Sequence, residues 1–318
     1  MENKIGSINY RELLNKYKMV LVLICMVIIM SIVSEHFLTS QNIINIIRQI
    51  SINAILAIGA TFVIITGGID LSQGSVLAVS GVIAASFIKH GYASIFIAAI
   101  TGILVSCLLG FINGLTIANF KVPPFVVTLA MMTIARGIAY VYTDGRPIVD
   151  LDKRFLVLGQ GSLGFLPYPI IVMIIVAVLA AIILYMTKFG RYVFSIGGNI
   201  QAARVSGINT NRIIVLVYTL SGLLAGLAGV MLASRINTGQ PQAGQSYEMD
   251  AIAAAVIGGT SLSGGVGTIA GTLVGAIIIG VINNSLNLLN VSQYYQLIVK
   301  GIVIAVAVII DVKSQKKF

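Results

Sequence analysis

The groups able to do chemistry in this chain are few and stand far apart. The two histidines, His36 and His90, and the two cysteines, Cys25 and Cys107, occur singly, and no His/Cys/carboxylate set has metal-ligand spacing. No nucleophile stands beside a base. The stretch GGTSLSGGVG at 258–267 is glycine-rich but lacks the Gly-Lys-Ser/Thr ending that cradles a phosphate. No catalytic group, metal or cofactor is therefore expected. What remains is a set of polar groups embedded in apolar runs: Asp70, Arg136, Lys300, Asn113, Asn283 and Asn284. Ionisable groups in such runs are costly to bury and mark functional sites by default. Asp70 lies in a glycine turn, where a carboxylate can cap a helix. Two readings stand for Arg136: it faces a central pathway, or it pairs with a carboxylate such as Asp70. Lys300, in LIVKGIV, is read as structural. The amides can bond the hydroxyls of a passing solute or tie helix to helix, and helix pairing is the default.

The elements that must position these groups are membrane helices. Of 318 residues, 58% are hydrophobic and only 9% charged, with a mean hydropathy of +1.01. An ordinary soluble domain carries about 25% charged residues. That contrast excludes a soluble enzyme and a disordered chain. The net charge of +10 does not make a nucleic-acid binder, because the basic residues are scattered between apolar runs rather than gathered on one face. Strand alternation is missing, so helices must satisfy the backbone within the membrane. Ten runs read as spans: Met19–Val33, Ile50–Thr66, Val76–Ile88, Ile95–Ala118, Phe125–Tyr142, Tyr168–Thr187, Ile213–Ser234, Ala251–Leu262, Thr268–Leu289 and Tyr294–Ile310. The first lacks a small-residue cleavage site and is read as retained.

Basic residues in short loops set orientation. With the N-terminus inside, Lys4, Arg11, Lys16, Lys18, Lys121, Lys188, Arg191, Arg204, Arg212, Lys313, Lys316 and Lys317 fall inside. Only Arg48, Lys89, Arg146, Lys153, Arg154 and Arg235 fall outside. The acids Glu35, Asp144, Asp150, Asp152, Glu248 and Asp250 lean outward. Both termini are expected in the cytoplasm. The chain divides into a tail (1–18), six spans (19–187), a cytoplasmic loop (188–212), four spans (213–310) and a second tail (311–318), all one transmembrane domain. Arg146, Arg154, Arg235 and Glu248, in the longest outer loops, are candidate docking charges for an outer partner.

Two short motifs recur. GGIDLSQG at 67–74 matches GGTSLSGG at 258–265, and GFIN at 110–113 matches GVIN at 280–283. Breaks in corresponding places of two halves point to a central pathway, and opposite directions for the Asn113 and Asn283 helices would make an inverted repeat. Gly67, Gly68, Asp70, Asn113, Gly258, Gly259 and Asn283 are the candidate pathway or gate residues. Close helix packing is the competing explanation for glycine pairs, and it is favoured for Gly222/Gly226 and for Gly267/Gly271/Gly275. In the loop, Asn199 is expected to cap a short helix through Arg204 that Gly207 ends.

That loop contains QAARVSG, with Gln201, Ala202, Ala203 and Gly207 at the spacing of the EAA-x-x-x-G motif of ABC importer permeases. GGIDLSQGS at 67–75, KVPPFVVTL at 121–129, MTIARGIAYVYTDGRPI at 132–148, GRYVFSIGGN at 190–199, AIAAAVIGGTSLSGG at 251–265 and GVINNSLNLLNVSQYYQLIVKGIVI at 280–304 extend the likeness. From about Asn42 to Asp311 the chain resembles the ribose/xylose/galactoside branch of ABC sugar permeases, nearest its ribose members. The resemblance implies an all-helical polytopic permease of the cobalamin-permease type with ten spans. It also implies a homodimer in the bacterial cytoplasmic membrane, with ATP-binding subunits below and a sugar-binding protein above. Gln201, Ala202, Ala203 and Gly207 would then form the element coupled to the ATPase, with Ala202 and Ala203 facing its cleft. Gln201 departs from the motif's usual Glu, which puts any ion pair from that position in doubt. Ribose is the first sugar to test; xylose, galactosides and the ribose-like autoinducer are alternatives. An ion-coupled secondary sugar transporter is the competing function. It calls for paired intramembrane carboxylates, whereas Asp70 alone sits at membrane depth.

Overall fold

The structure, a computed structural model, describes residues 10–92 and 94–315. Lys4, Lys316 and Lys317, counted above as cytoplasmic, lie outside the described residues. The order is α1 (Tyr10–Val33), α2 (Ser40–Ile65), α3 (Gln73–Lys89), α4 (Ile95–Phe120), α5 (Pro124–Tyr142), β1 (Ile148–Val149), α6 (Lys153–Gln160), β2 (Ser162–Leu163) and β3 (Leu166–Pro167). Then follow α7 (Tyr168–Met186), α8 (Lys188–Gly198), α9 (Ile200–Val205), α10 (Thr210–Ile236), β4 (Thr238–Gly239), α11 (Tyr247–Ile257), α12 (Ile269–Leu288) and α13 (Gln293–Gln315). β1 pairs antiparallel with β4, and β2 with β3.

Each of the ten apolar runs coincides with a helix, though lengths differ. Among the described residues, six helices are long and apolar enough to cross a membrane: α2, α4, α5, α7, α10 and α12. Shorter apolar helical stretches lie in α1, α3 and α13, and α11 has only 11 residues. α2 starts ten residues before the expected Ile50. Its first turns carry Gln41, Asn42 and Arg48, and Thr39 caps them by accepting from Asn42 N, so an apolar count misses them. α11 stops at Ile257 instead of Leu262, because Gly258 and Gly259 turn the chain. Two helices were not expected in the loops. α6 buries Phe155 and Gly159 and is capped by Asp152, and α8 precedes the short loop helix.

The core is centred on α2, whose residues from Ile50 to Ile65 are all buried. α2 packs against α10, α11, α12 and α7. In lipid there is no hydrophobic gain from helix association, so backbones must approach closely. α4 and α10 do so through glycine: a Cβ added to Gly110 would lie 2.9 Å from Gly222 Cα, and one on Gly226 would lie 2.8 Å from Ser106 Cβ. Gly271 and Gly275 of α12 press in the same way on the Gly258 and Ala254 carbonyls. The tight-contact reading of these glycines holds. Hydroxyls supplement the packing, with Thr61 and Thr272 bonded at 2.7 Å between α2 and α12. α7 instead presents Ile174, Ile175, Val178, Leu179 and Ile182 outward, a face suited to lipid.

Candidate functional site

The first glycine turn positions Asp70 at the start of α3, buried among α4 and α10. Its Oδ1 accepts from Ser72 N at 3.0 Å and Ser72 Oγ at 2.6 Å, and its Oδ2 accepts from Ser221 Oγ at 2.7 Å. Behind these hydroxyls stand two amides. Asn113 Nδ2 donates to Ser72 Oγ at 3.0 Å, and Gln73 Nε2 donates to Ser221 Oγ at 2.9 Å. Two hydrogen-bond chains thus converge on one buried carboxyl group and satisfy both of its oxygens. Arg136 is not its partner. That guanidinium donates to the Pro241 and Ala243 carbonyls, the latter at 2.9 Å. Asn113 Oδ1 and Gln73 Oε1 are buried without a hydrogen-bond partner.

The second cluster lies where α11 begins. Lys300 Nζ of α13 meets Asp250 Oδ2 at 2.8 Å, and Asn283 Nδ2 of α12 donates to the same oxygen at 3.0 Å. The ion pair agrees with the structural reading of Lys300, and the Asp250 side chain is only 2% exposed. Asn284 exchanges amide hydrogen bonds with Asn42 of α2, at 2.8 and 3.1 Å. Asn113 and Asn283, paired by the GFIN/GVIN match, each donate to a buried oxygen of another element, but the partners differ: Ser72 lies inside the first glycine motif, whereas Asp250 precedes the second. The two glycine turns do not sit apart in this way. Gly265 N donates to Ile65 O at 2.9 Å, and a Cβ on Gly264 would lie 3.1 Å from Gly67 N. The turns carrying Gly67/Gly68 and Gly258/Gly259 close on the same junction, with Gly197 of α8 wedged between them.

The loop helix α9 forms as expected. Asn199 caps it by accepting from Gln201 N and Ala202 N at 3.0 and 2.9 Å, and Gly207 takes φ +82° just beyond it. One expectation fails. Ala203 is 4% exposed and packs into the main core, so it does not face a partner. In a six-residue helix, Ile200 and Ala203 share the inner face, and Gln201, Ala202 and Val205 face out. A cleft of ≈ 410 Å³ runs beside α9, bordered by Gly67, Gly68, Lys121, Gln201, Arg204 and Tyr218 among others.

The sequence matches the family model for the permease component of branched-chain amino acid transport systems over residues 42–308. The chain belongs to this permease family. It is 49% identical to the ribose import permease protein of Bacillus subtilis, over 96% of each chain, and 48% identical to that of Haemophilus influenzae, over 98% of this chain and 97% of the other. It is 38% identical to the D-allose transport system permease protein of Escherichia coli, over 95% and 93%. No solved structure gives a significant match. The permease is thus a multi-pass membrane protein and a non-catalytic component of its transport system.

On the permease surface the expected docking charges part company. Arg146 and Arg154 are exposed, Arg235 is half-buried, and Glu248 is 6% exposed. Glu248 fails as a docking charge because the segment before α11 folds inward and seats it against Gly74 of α3. Sequence reasoning missed Ser72, Gln73 and Ser221, although the first two lie inside the GGIDLSQG motif. Their polarity was the available signal. It also missed the Asp250–Lys300 pair, whose members lie 50 residues apart with the run Thr268–Leu289 between them.

Proposed function

We propose that this permease forms the translocation path of an ATP-driven ABC importer for a monosaccharide, with ribose as the substrate. The observation that carries this is the 49% identity over 96% of both chains to a protein named for ribose import. The exposed face of α9, with Gln201 and Ala202, is the element engaged by an ATP-binding subunit, and Gly207 sets its exit. A sugar-binding protein docks on the opposite side, near Arg146 and Arg154. The working form is a homodimer in the bacterial cytoplasmic membrane, with ten spans per chain and a fold of the cobalamin-permease type. Residues 1–18, 188–212 and 311–318 lie in the cytoplasm, with six spans in 19–187 and four in 213–310. The recurrence of the glycine motif and of GFIN/GVIN supports an inverted repeat carrying Asn113 and Asn283, in which the turns at Gly67, Gly68 and Asp70 and at Gly258 and Gly259 are the hinges of the gate.

An ion-coupled transporter finds little support. Asp70 is enclosed by hydrogen-bond donors, and Asp250 is neutralised by Lys300. The test is uptake of labelled ribose into proteoliposomes holding the permease, its neighbouring ATPase and binding protein. Uptake that requires ATP and the binding protein is expected. Uptake driven by a proton or sodium gradient without ATP would overturn the proposal.

A further inference from the structure

Like the glycine turns, one further segment of this chain is neither helix nor surface loop. Between α10 and α11, residues 238–246 are irregular apart from the two-residue strand β4. Gly239 packs against Ala85 and Val82 near the outer end of α3, and Gly244 packs against Gly74 and Leu77 near its start. From Ala85 to Gly74 is eleven residues of helix, about 16 Å at 1.5 Å per residue. The segment therefore descends alongside α3 to about the middle of a bilayer whose hydrocarbon core is about 30 Å thick. Arg136 of α5 pins it there by donating to the Pro241 and Ala243 carbonyls, and Gly244 (φ +68°) and Ser246 (φ +66°) bend it into α11.

Irregular backbone at membrane depth is tolerated only where protein buries it or water bathes it. Here the chain alternates: Pro241 and Gly244 are buried, while Gln240, Gln242 and Gln245 are exposed. Three carboxamides turned toward hydrocarbon would each forgo hydrogen bonds to water. On α5, Thr133 and Tyr140 lie one helical turn either side of Arg136 and are exposed too. The stripe of α5 through Thr133, Arg136 and Tyr140 is thus polar, flanked by the exposed Ile134 and Ile138, whereas the outward face of α7 is uniformly apolar.

We propose that Gln240, Gln242 and Gln245, with Arg136 as the positioning residue, form a water-lined track that binds the hydroxyls of a neutral sugar during passage. The assignment rests on the sugar-permease reading above. Each carboxamide offers two donors and an acceptor oxygen, the match for a hydroxyl that must both give and take a hydrogen bond. No exposed side chain on the track is acidic; its one cation donates to backbone carbonyls and is offset by the buried Glu248 behind it, which suits an uncharged solute. In the homodimer a second copy supplies the facing wall.

The test has two arms, both in proteoliposomes with the ATPase and the binding protein. In a Cys25→Ala/Cys107→Ala background, single cysteines at 240, 242 and 245 are treated with a charged, membrane-impermeant thiol reagent. A cysteine replacing Ile175, equally outward on α7, is the lipid-facing control. Fast modification at the three track positions, slowed by ribose during turnover, and none at 175 is the expected result. Modification no faster than at 175 overturns the proposal. In the second arm, Gln240→Leu, Gln242→Leu and Gln245→Leu each lower ribose uptake about tenfold per lost hydrogen bond, at unchanged permease abundance. Wild-type uptake in the triple leucine variant also overturns it. If the wild-type complex itself imports no ribose, the function proposed above fails, and the thiol arm still decides whether the track is wet.

Discussion

Replacing Gly197 by alanine tests the junction where α8 meets both glycine turns. An added Cβ would overlap the Ile65 carbonyl oxygen and the Gly265 nitrogen and lie 2.9 Å from the Ile65 carbonyl carbon. Those two atoms are the partners of the 2.9 Å Gly265 N–Ile65 O hydrogen bond, so the methyl must prise them apart. Overpacking costs about 1–3 kcal/mol. Leaving the Gly265 N–H without its acceptor adds about 1–3 kcal/mol. The helix-propensity gain of alanine over glycine, about 1 kcal/mol, offsets only part of this. The expected net loss is about 1–5 kcal/mol, or a melting temperature lower by roughly 2–20 °C at about 2–4 °C per kcal/mol. Gly198→Ala is the internal comparison, because nothing lies within 4 Å of its added Cβ. It is expected to match or exceed wild type. The assay is thermal unfolding of purified permease in detergent, followed by tryptophan-independent thiol-dye fluorescence. Because Cys25 is exposed in the fold, all variants carry Cys25→Ala, and the dye then reports exposure of Cys107, which is half-buried. A Gly197→Ala variant as stable as wild type, or a Gly198→Ala variant equally damaged, would refute the reasoning.

Lys300→Met leaves the Asp250 carboxylate buried with no cation and should cost about 3–5 kcal/mol; adding Asp250→Asn should restore part of it, measured by the same melts. A double variant no more stable than Lys300→Met would show that the pair is not what matters. Asp70→Asn replaces one of two accepting oxygens by a donor amide, leaving at least one of three hydrogen bonds unmade, and should cost about 1–3 kcal/mol. Ser221→Ala, which removes one of the three, should cost less, and the reverse order would contradict the hub. Ala203→Asp buries a carboxylate in the core and should lower permease abundance in the membrane. Ala202→Asp, on the exposed face, should leave abundance intact and weaken co-purification of the ATPase; equal abundance for both variants would undo the facing assigned to α9.

Much of the architecture was legible in the sequence because membrane helices declare themselves locally. Hydrocarbon obliges each span to satisfy its own backbone, so an apolar run becomes a helix whatever its neighbours are. The tight role of Gly222 and Gly226, the Asn199 cap and the left-handed Gly207 also follow from short-range rules. The missed elements have an equally physical cause. α6 and α8 are short and half-polar, and the polar first turns of α2 do not register as apolar.

The site itself was decided by tertiary structure. Asp70, Arg136, Lys300 and the asparagines could be singled out because polar groups are expensive in apolar runs, yet that cost says only that a partner exists. Which partner depends on how α3, α4 and α10 meet, and on α13 bringing Lys300 to Asp250. The same holds for facing. Ala202 and Ala203 are adjacent and identical in chemistry, but the helical turn sends one outward and the other into the core. Glu248 and the glutamines of 240–245 belong to one polar stretch that reads as an outer loop. Only the packing of Gly239 and Gly244 lays it along α3, because the place of an irregular segment is set by what it touches and not by what it contains.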